Sequence, residues 1–185
     1  MRDYGLLPLT LAIFLIAAIV SGAEIRRGTL EIRIKDHREA IGDFSQLTVT
    51  IDKISISPNP GLKFWRLGWK DLSPSPTGVD LTRYIGMKSA RVFYGPIEPG
   101  SFDAMHLKVK QVEGVLKNGG KSVRIKDLVG PVKLPFEVRF QSETLIVLDL
   151  VIMDMSDHPP RGYELGIKGW ELYSNGRLID KIPPG

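Results

Sequence analysis

The chain has no cysteine among its 185 residues, which removes disulfides, thiolate metal centres and cysteine nucleophiles. Its core has to stand on packing and backbone pairing. Asparagine and glutamine are scarce, with three of each, and together with the missing cysteine this leans towards a heat-adapted, thermophilic source. No Asn-x-Ser/Thr acceptor occurs, because Asn59, Asn118 and Asn175 are followed by Pro-Gly, Gly-Gly and Gly-Arg, so ordinary N-glycosylation is not expected. Lys and Arg outnumber Asp and Glu only 25 to 21 and form no run. The net charge of +4 therefore gives no case for a nucleic-acid partner. Between Glu24 and Gly185 no segment keeps a helical hydrophobic period over the roughly 11 residues an amphipathic helix needs.

One long uncharged run is present, GLLPLTLAIFLIAAIV from Gly5 to Val20, followed by the small residues Ser21, Gly22 and Ala23. It predicts an N-terminal hydrophobic helix, with residues 1–23 as a signal peptide cleaved after Ala23 or as an uncleaved membrane anchor. Arg2 and Asp3 before the run, with Arg26 and Arg27 after it, do not fix an orientation by charge. The expected location is extracytoplasmic, secreted or at the cell surface. Contact with a membrane is expected only through this segment.

From Gly28 onwards the pattern counts in twos. In GTLEIRIKD, Leu30, Ile32 and Ile34 share one face while Glu31, Arg33 and Lys35 take the other, as a half-buried strand requires. LTVTIDKISIS continues with Leu47, Val49 and Ile51, then Ile54 and Ile56 after a change of phase that a β-bulge at Asp52 and Lys53 would absorb. MHLKVK and KLPFEVRF alternate again, and a hairpin is expected around Asn118 to Gly120. TLIVLDLVIM is nearly all apolar and reads as a central strand covered on both faces. GYELGIKGWELYSNGRLIDKI predicts two more strands turning at Asn175 and Gly176. One helical turn is expected at VDLTRYIGM, capped by Asp80. The fold class is thus all-β, a two-sheet antiparallel β-sandwich, with residues 24–185 as one domain.

Ser101, Asp103 and His106 fall within six positions and raise the question of a hydrolase. In an extended strand Ser101 and His106 lie about 16 Å apart at roughly 3.3 Å per residue, far beyond the hydrogen-bond contact a nucleophile and base require. Parity directs Met105, Leu107 and Val109 inwards and His106, with Lys108 and Lys110, to solvent. No catalytic residue is assigned, no cofactor is expected, and the chain is read as a non-enzyme. The pair Glu98 and Asp103 gives no usable spacing for a glycosidase. His37, between Asp36 and Arg38, reads as an exposed loop residue.

Two weaker sites remain. Asp154, Asp157 and His158, with Asp149 nearby in DLVIMDMSDHPP, carry donors for a divalent cation, although their spacing matches no known loop and a polar strand end and turn is the favoured reading. Trp65 and Trp69 in FWRLGW, with Tyr94 beyond, supply stacking faces for a glycan or a partner. Their alternative is a structural role, with Trp65 inward and Trp69 over a sheet end.

The ordered set GTLEIRIKD, LTVTIDKISIS, WRL, VDLTRYIG, EPGSFDAMHLKV, KLPFEV and GYELGI, from Gly28 to Ile167, resembles the prokaryotic envelope family known as domain of unknown function 4382. The resemblance implies a transthyretin- or prealbumin-like sandwich behind a signal or lipoprotein leader. It supplies no functional residues. The lipoprotein cysteine is absent here, and the Asp-Ala-Pro usual after the first strand reads Asp36, His37, Arg38. The function expected is binding or assembly in the envelope, as a surface or filament subunit, by self-association or contact with other envelope proteins through edge strands. EIRRGTLEIRIKD is the candidate donated strand, against the plainer reading that it pairs within its own domain. A carbohydrate-binding module is the alternative function.

Overall fold

The computed structural model describes residues 27–59, 68–157 and 162–183. The alternating stretches become strands β1 (Gly28–Asp36), β2 (Phe44–Pro58), β3 (Lys70–Leu72), β4 (Gly78–Asp80), β5 (Ala90–Ile97), β6 (Gly100–Leu116), β7 (Ser122–Asp127), β8 (Val132–Val138), β9 (Glu143–Asp154), β10 (Tyr163–Ser174) and β11 (Arg177–Ile182). The expected hydrophobic run of residues 5–20 lies outside the described residues. The turn at Asp80 forms as read. Its carboxylate accepts from Thr82 N–H at 3.1 Å and from the Thr82 hydroxyl at 2.7 Å, capping a 3-10 turn over Leu81–Arg83. A second such turn, Ala40–Asp43, had no signal in the hydrophobic pattern beyond Ile41.

β5, β1, β9 and β10 are neighbours in one half of the sheet, and β3 and β4 flank β2, which pairs with β6, in the other. The halves meet where β7, paired to β6, also pairs in parallel with β10 at Lys126–Glu164 and Asp127–Leu165. On the far side, Ser75 N–H donates to Val92 C=O at 2.8 Å and Ile51 N–H to Thr77 C=O at 2.7 Å. The loop before β4 thus laces β2 to β5, and the sheet is nearly closed.

The bulge lies where the phase change placed it. Ile51 faces Val109 and Lys53 faces Lys108, leaving Asp52 unmatched, so Ile51 and Ile54 are both buried. Leu30, Ile32 and Ile34 meet Leu47, Val49 and Leu134 in one continuous core. β9 runs between β1 and β10 and buries every side chain from Ile146 to Ile152, as an apolar central strand must.

Two expectations need correction. The sheet is not antiparallel throughout, because β1, antiparallel to β5, runs parallel to β9 and β7 runs parallel to β10; the stretch from Gly28 pairs within its own domain, the plainer of its two readings. The polar face of β1 is also not open to solvent, because Glu31 is buried between two arginines.

Candidate functional site

Ser101, Asp103 and His106 all lie along the extended β6, where a register shift between Phe102 and Ala104 changes the phase and buries both Phe102 and Met105. Ser101 is exposed, and Asp103 accepts from the Asn59 amide at 2.9 Å. His106 departs from its expected solvent position. It is half-buried, with the Trp69 ring packed edge-on at 6.4 Å between centroids and Nε2 3.4 Å from Val129 C=O. Strand parity named the correct face, but only the fold could show that Trp69 covers it.

Of the stacking candidates, Trp65 lies outside the described residues. Trp69 (46% exposed) leads into β3 beside β2, whereas Tyr94 (57% exposed) lies on β5 against Glu31 of β1. They belong to different halves of the sheet. Tyr94 is engaged by Arg91, whose guanidinium carbon lies 4.9 Å from the ring centroid. Among the proposed metal donors, His158 also lies outside the described residues. Asp154 and Asp157 are exposed, and Asp154 accepts from Ser156 N–H at 2.9 Å. Among the described residues no group of three or more His, Asp or Glu side chains could hold a metal. Asp149 does not join that group, being mid-strand and buried.

A cleft of about 400 Å³ opens at the seam between the halves, bordered by β8 on one side and by β10 and β11 on the other. Phe102 of β6 and Phe136 of β8, stacked at 4.8 Å with a 12° interplanar angle, line one side. Leu172 and Tyr173 of β10 with Ile179 of β11 line the other, and Asp103, Glu137 and Arg139 stand among the polar wall groups. Along this seam β8 pairs with β6 and β11 with β10; among the described residues β8 and β11 do not pair with each other. On β11, Leu178, Ile179 and Ile182 are all exposed. A second groove, lined by Leu128, Ile167, Trp170 and Ile182, borders the same strand. No single motif could have announced this site, since its lining runs from Asn59 to Ile179 and draws on strands β6, β8, β9, β10 and β11.

The outer face of the β1 half carries an ionic ladder. Glu31 Oε1 accepts from Arg33 Nε and Arg91 Nε, each at 2.7 Å. Burial pulls its carboxyl upwards, but the hydrogen bonds from Arg91 and Arg33 outweigh burial and hold it below the usual range. Next along the face, Lys35 Nζ lies 2.8 Å from Glu171 Oε1 and 3.6 Å from Asp149 Oδ2. His37 Nδ1 is 3.6 Å from that same oxygen, so His37 is half-buried and directed at Asp149 where an exposed loop residue was expected. Burial pushes the Asp149 carboxyl above its usual range despite Lys35 and His37. Tyr173 donates to Glu171 Oε2 at 2.5 Å.

The described residues form a nearly closed all-β sheet with exposed apolar side chains along β11 and a cleft at its seam. The chain belongs to the domain of unknown function family DUF4382, whose model matches residues 27–163. No curated protein and no solved structure matches it. The family match stops at the first residue of β10, so most of β10 and all of β11, one wall of the cleft, lie beyond it.

Proposed function

We propose that this chain is a non-catalytic, exported or envelope-anchored β-sandwich of the transthyretin kind that binds or assembles through its open sheet edge, as a surface or filament subunit. The observation that carries this reading is β11, a strand with its outer edge unpaired among the described residues and with Leu178, Ile179 and Ile182 exposed. Such an edge accepts another strand, because its backbone groups are unmatched and its side chains lose apolar surface on docking. The partner is another copy of the chain or another envelope protein. Light scattering and electron microscopy of the purified chain should show assemblies that Ile179→Lys with Ile182→Lys disperses. Monomers alone from the unchanged chain would remove the assembly role.

Export rests on the run from Gly5 to Val20 and the small residues after it. Mass spectrometry of the mature protein should find Glu24 as its first residue; an intact Met1 would favour an anchor. A carbohydrate-binding role is the second reading, favoured by the exposed faces of Trp69 and Tyr94. Glycan binding that survives replacement of both by alanine would dismiss it.

A further inference from the structure

A chain without cysteine cannot tie its strands by disulfides, yet one pair of side chains is placed for a different covalent link. The parallel register of β1 on β9 sets Lys35 directly beside Asp149, and alternation turns both to the outer face. The lysine side chain is 14% exposed and the aspartate 6%. Nζ stands 3.6 Å from Oδ2, close to the separation from which an amine attacks a carboxyl carbon. Asp149 Oδ1 is buried with no hydrogen-bond partner among the described residues. Glu171, on the neighbouring strand, reaches the same Nζ at 2.8 Å and is oriented by the Tyr173 hydroxyl.

We infer that Lys35 and Asp149 condense to an intramolecular amide, with Glu171 carrying the proton. Glu171 takes a proton from the Lys35 ammonium, and the freed amine attacks Cγ of the protonated Asp149 carboxyl. The Nζ–Cγ bond forms, one Cγ–O bond breaks, and the departing hydroxyl leaves as water with the proton returned by Glu171, while the second proton shed by the nitrogen passes through Glu171 to solvent. Nothing is oxidised or reduced. Burial favours the neutral carboxyl of Asp149, the form from which water can leave. The obstacle is the lysine. Burial alone would lower its pKa, but Glu171 and Asp149 outweigh that and hold the ammonium above its usual range. The resting state is therefore an ion pair and maturation is slow. His37, on the same Asp149 oxygen, and the buried Asp36 carboxyl, which the Asp149 charge helps to raise, are further titratable groups near the reacting pair. Proximity favours such a step, since held reactants behave as if enormously concentrated, roughly 10⁵ M or more. The link would join positions 35 and 149 across most of the folded chain and constrain its unfolded state as a disulfide does.

Intact-mass measurement of the purified full chain, aged at neutral pH and raised temperature, reads the result directly and is independent of any binding role. The expected mass is lower by one water, with a tryptic fragment joining β1 to β9. Asp149→Asn should lose one ammonia instead, while Lys35→Arg and Glu171→Gln should keep their full mass. A full mass for the aged unchanged chain overturns the inference. So does water loss that persists in Lys35→Arg, which would place it in a succinimide elsewhere.

Discussion

Asp36 ends β1 with a carboxyl that is fully buried. One oxygen accepts from Arg38 N–H at 2.8 Å, and the other has no partner among the described residues. Burial raises its pKa to about 6, against the pull of the Arg38 amide. A raised acid in the folded state contributes stability that is complete below the unfolded value, 3.8, and is lost as pH climbs through about 6. Asp36→Asn has no such titration. Urea unfolding of the two chains should therefore show their difference moving in favour of the native carboxyl as pH falls from 7 to 4, by on the order of 2–3 kcal/mol at the usual 1.4 kcal/mol per unit. A constant difference would show that the carboxyl is not held apart from water. Gly28 makes a steric claim at the same scale. A Cβ there would stand 2.2 Å from the Arg139 carbonyl oxygen, and backbone cannot give way as a flexible side chain does. Gly28→Ala should cost about 1–3 kcal/mol in unfolding free energy, as overpacking does.

Among the elements, β9 and β11 mark the extremes. β9 is hydrogen-bonded on both edges and buried on both faces; β11 is paired on one edge and exposed along its whole length. Local opening is cheap where few apolar contacts are lost. Native-state hydrogen exchange should thus be slowest in β9 and β1 and fastest in β11, and equal protection would refute this ordering. Leu134 of β8, fully buried, links the seam strand to the core. Its replacement by alanine should cost about 2–5 kcal/mol by cavity formation, read in a urea melt. The alternating stretches were readable as strands because a side chain's face follows from its parity. The 3-10 turn at Ala40–Asp43 was not, since a turn held by backbone geometry leaves little hydrophobic period to detect.

At the scale of the molecule, the two halves of the sheet touch through few bonds. Their links include two residue pairs of β7 with β10, the Leu128 N–H to Leu165 C=O bond and the Thr144 hydroxyl to Glu137 C=O bond on one side, and the Ser75–Val92 hydrogen bond on the other, with the cleft beside β11. Sites at such a seam are invisible in one dimension. Phe102, Phe136, Leu172 and Ile179 each read as ordinary strand residues, and only closure of the sheet makes them neighbours. The same holds for the ladder of Glu31, Lys35, Asp149 and Glu171. Their faces were legible but their pairing depended on β1 entering beside β9, a register that no local pattern specifies.

The amino-acid order alone decided that this chain is built of strands, where its bulge and capped turn fall, and that Ser101 and His106 stand apart on one strand. Those properties follow from period-two alternation and steric preference, which act between residues close in the chain. The order of strands, the burial of β1, the cover of Trp69 over His106 and the open edge at β11 were settled only in three dimensions. They depend on which distant strands pair and on which surfaces remain uncovered once the core has closed.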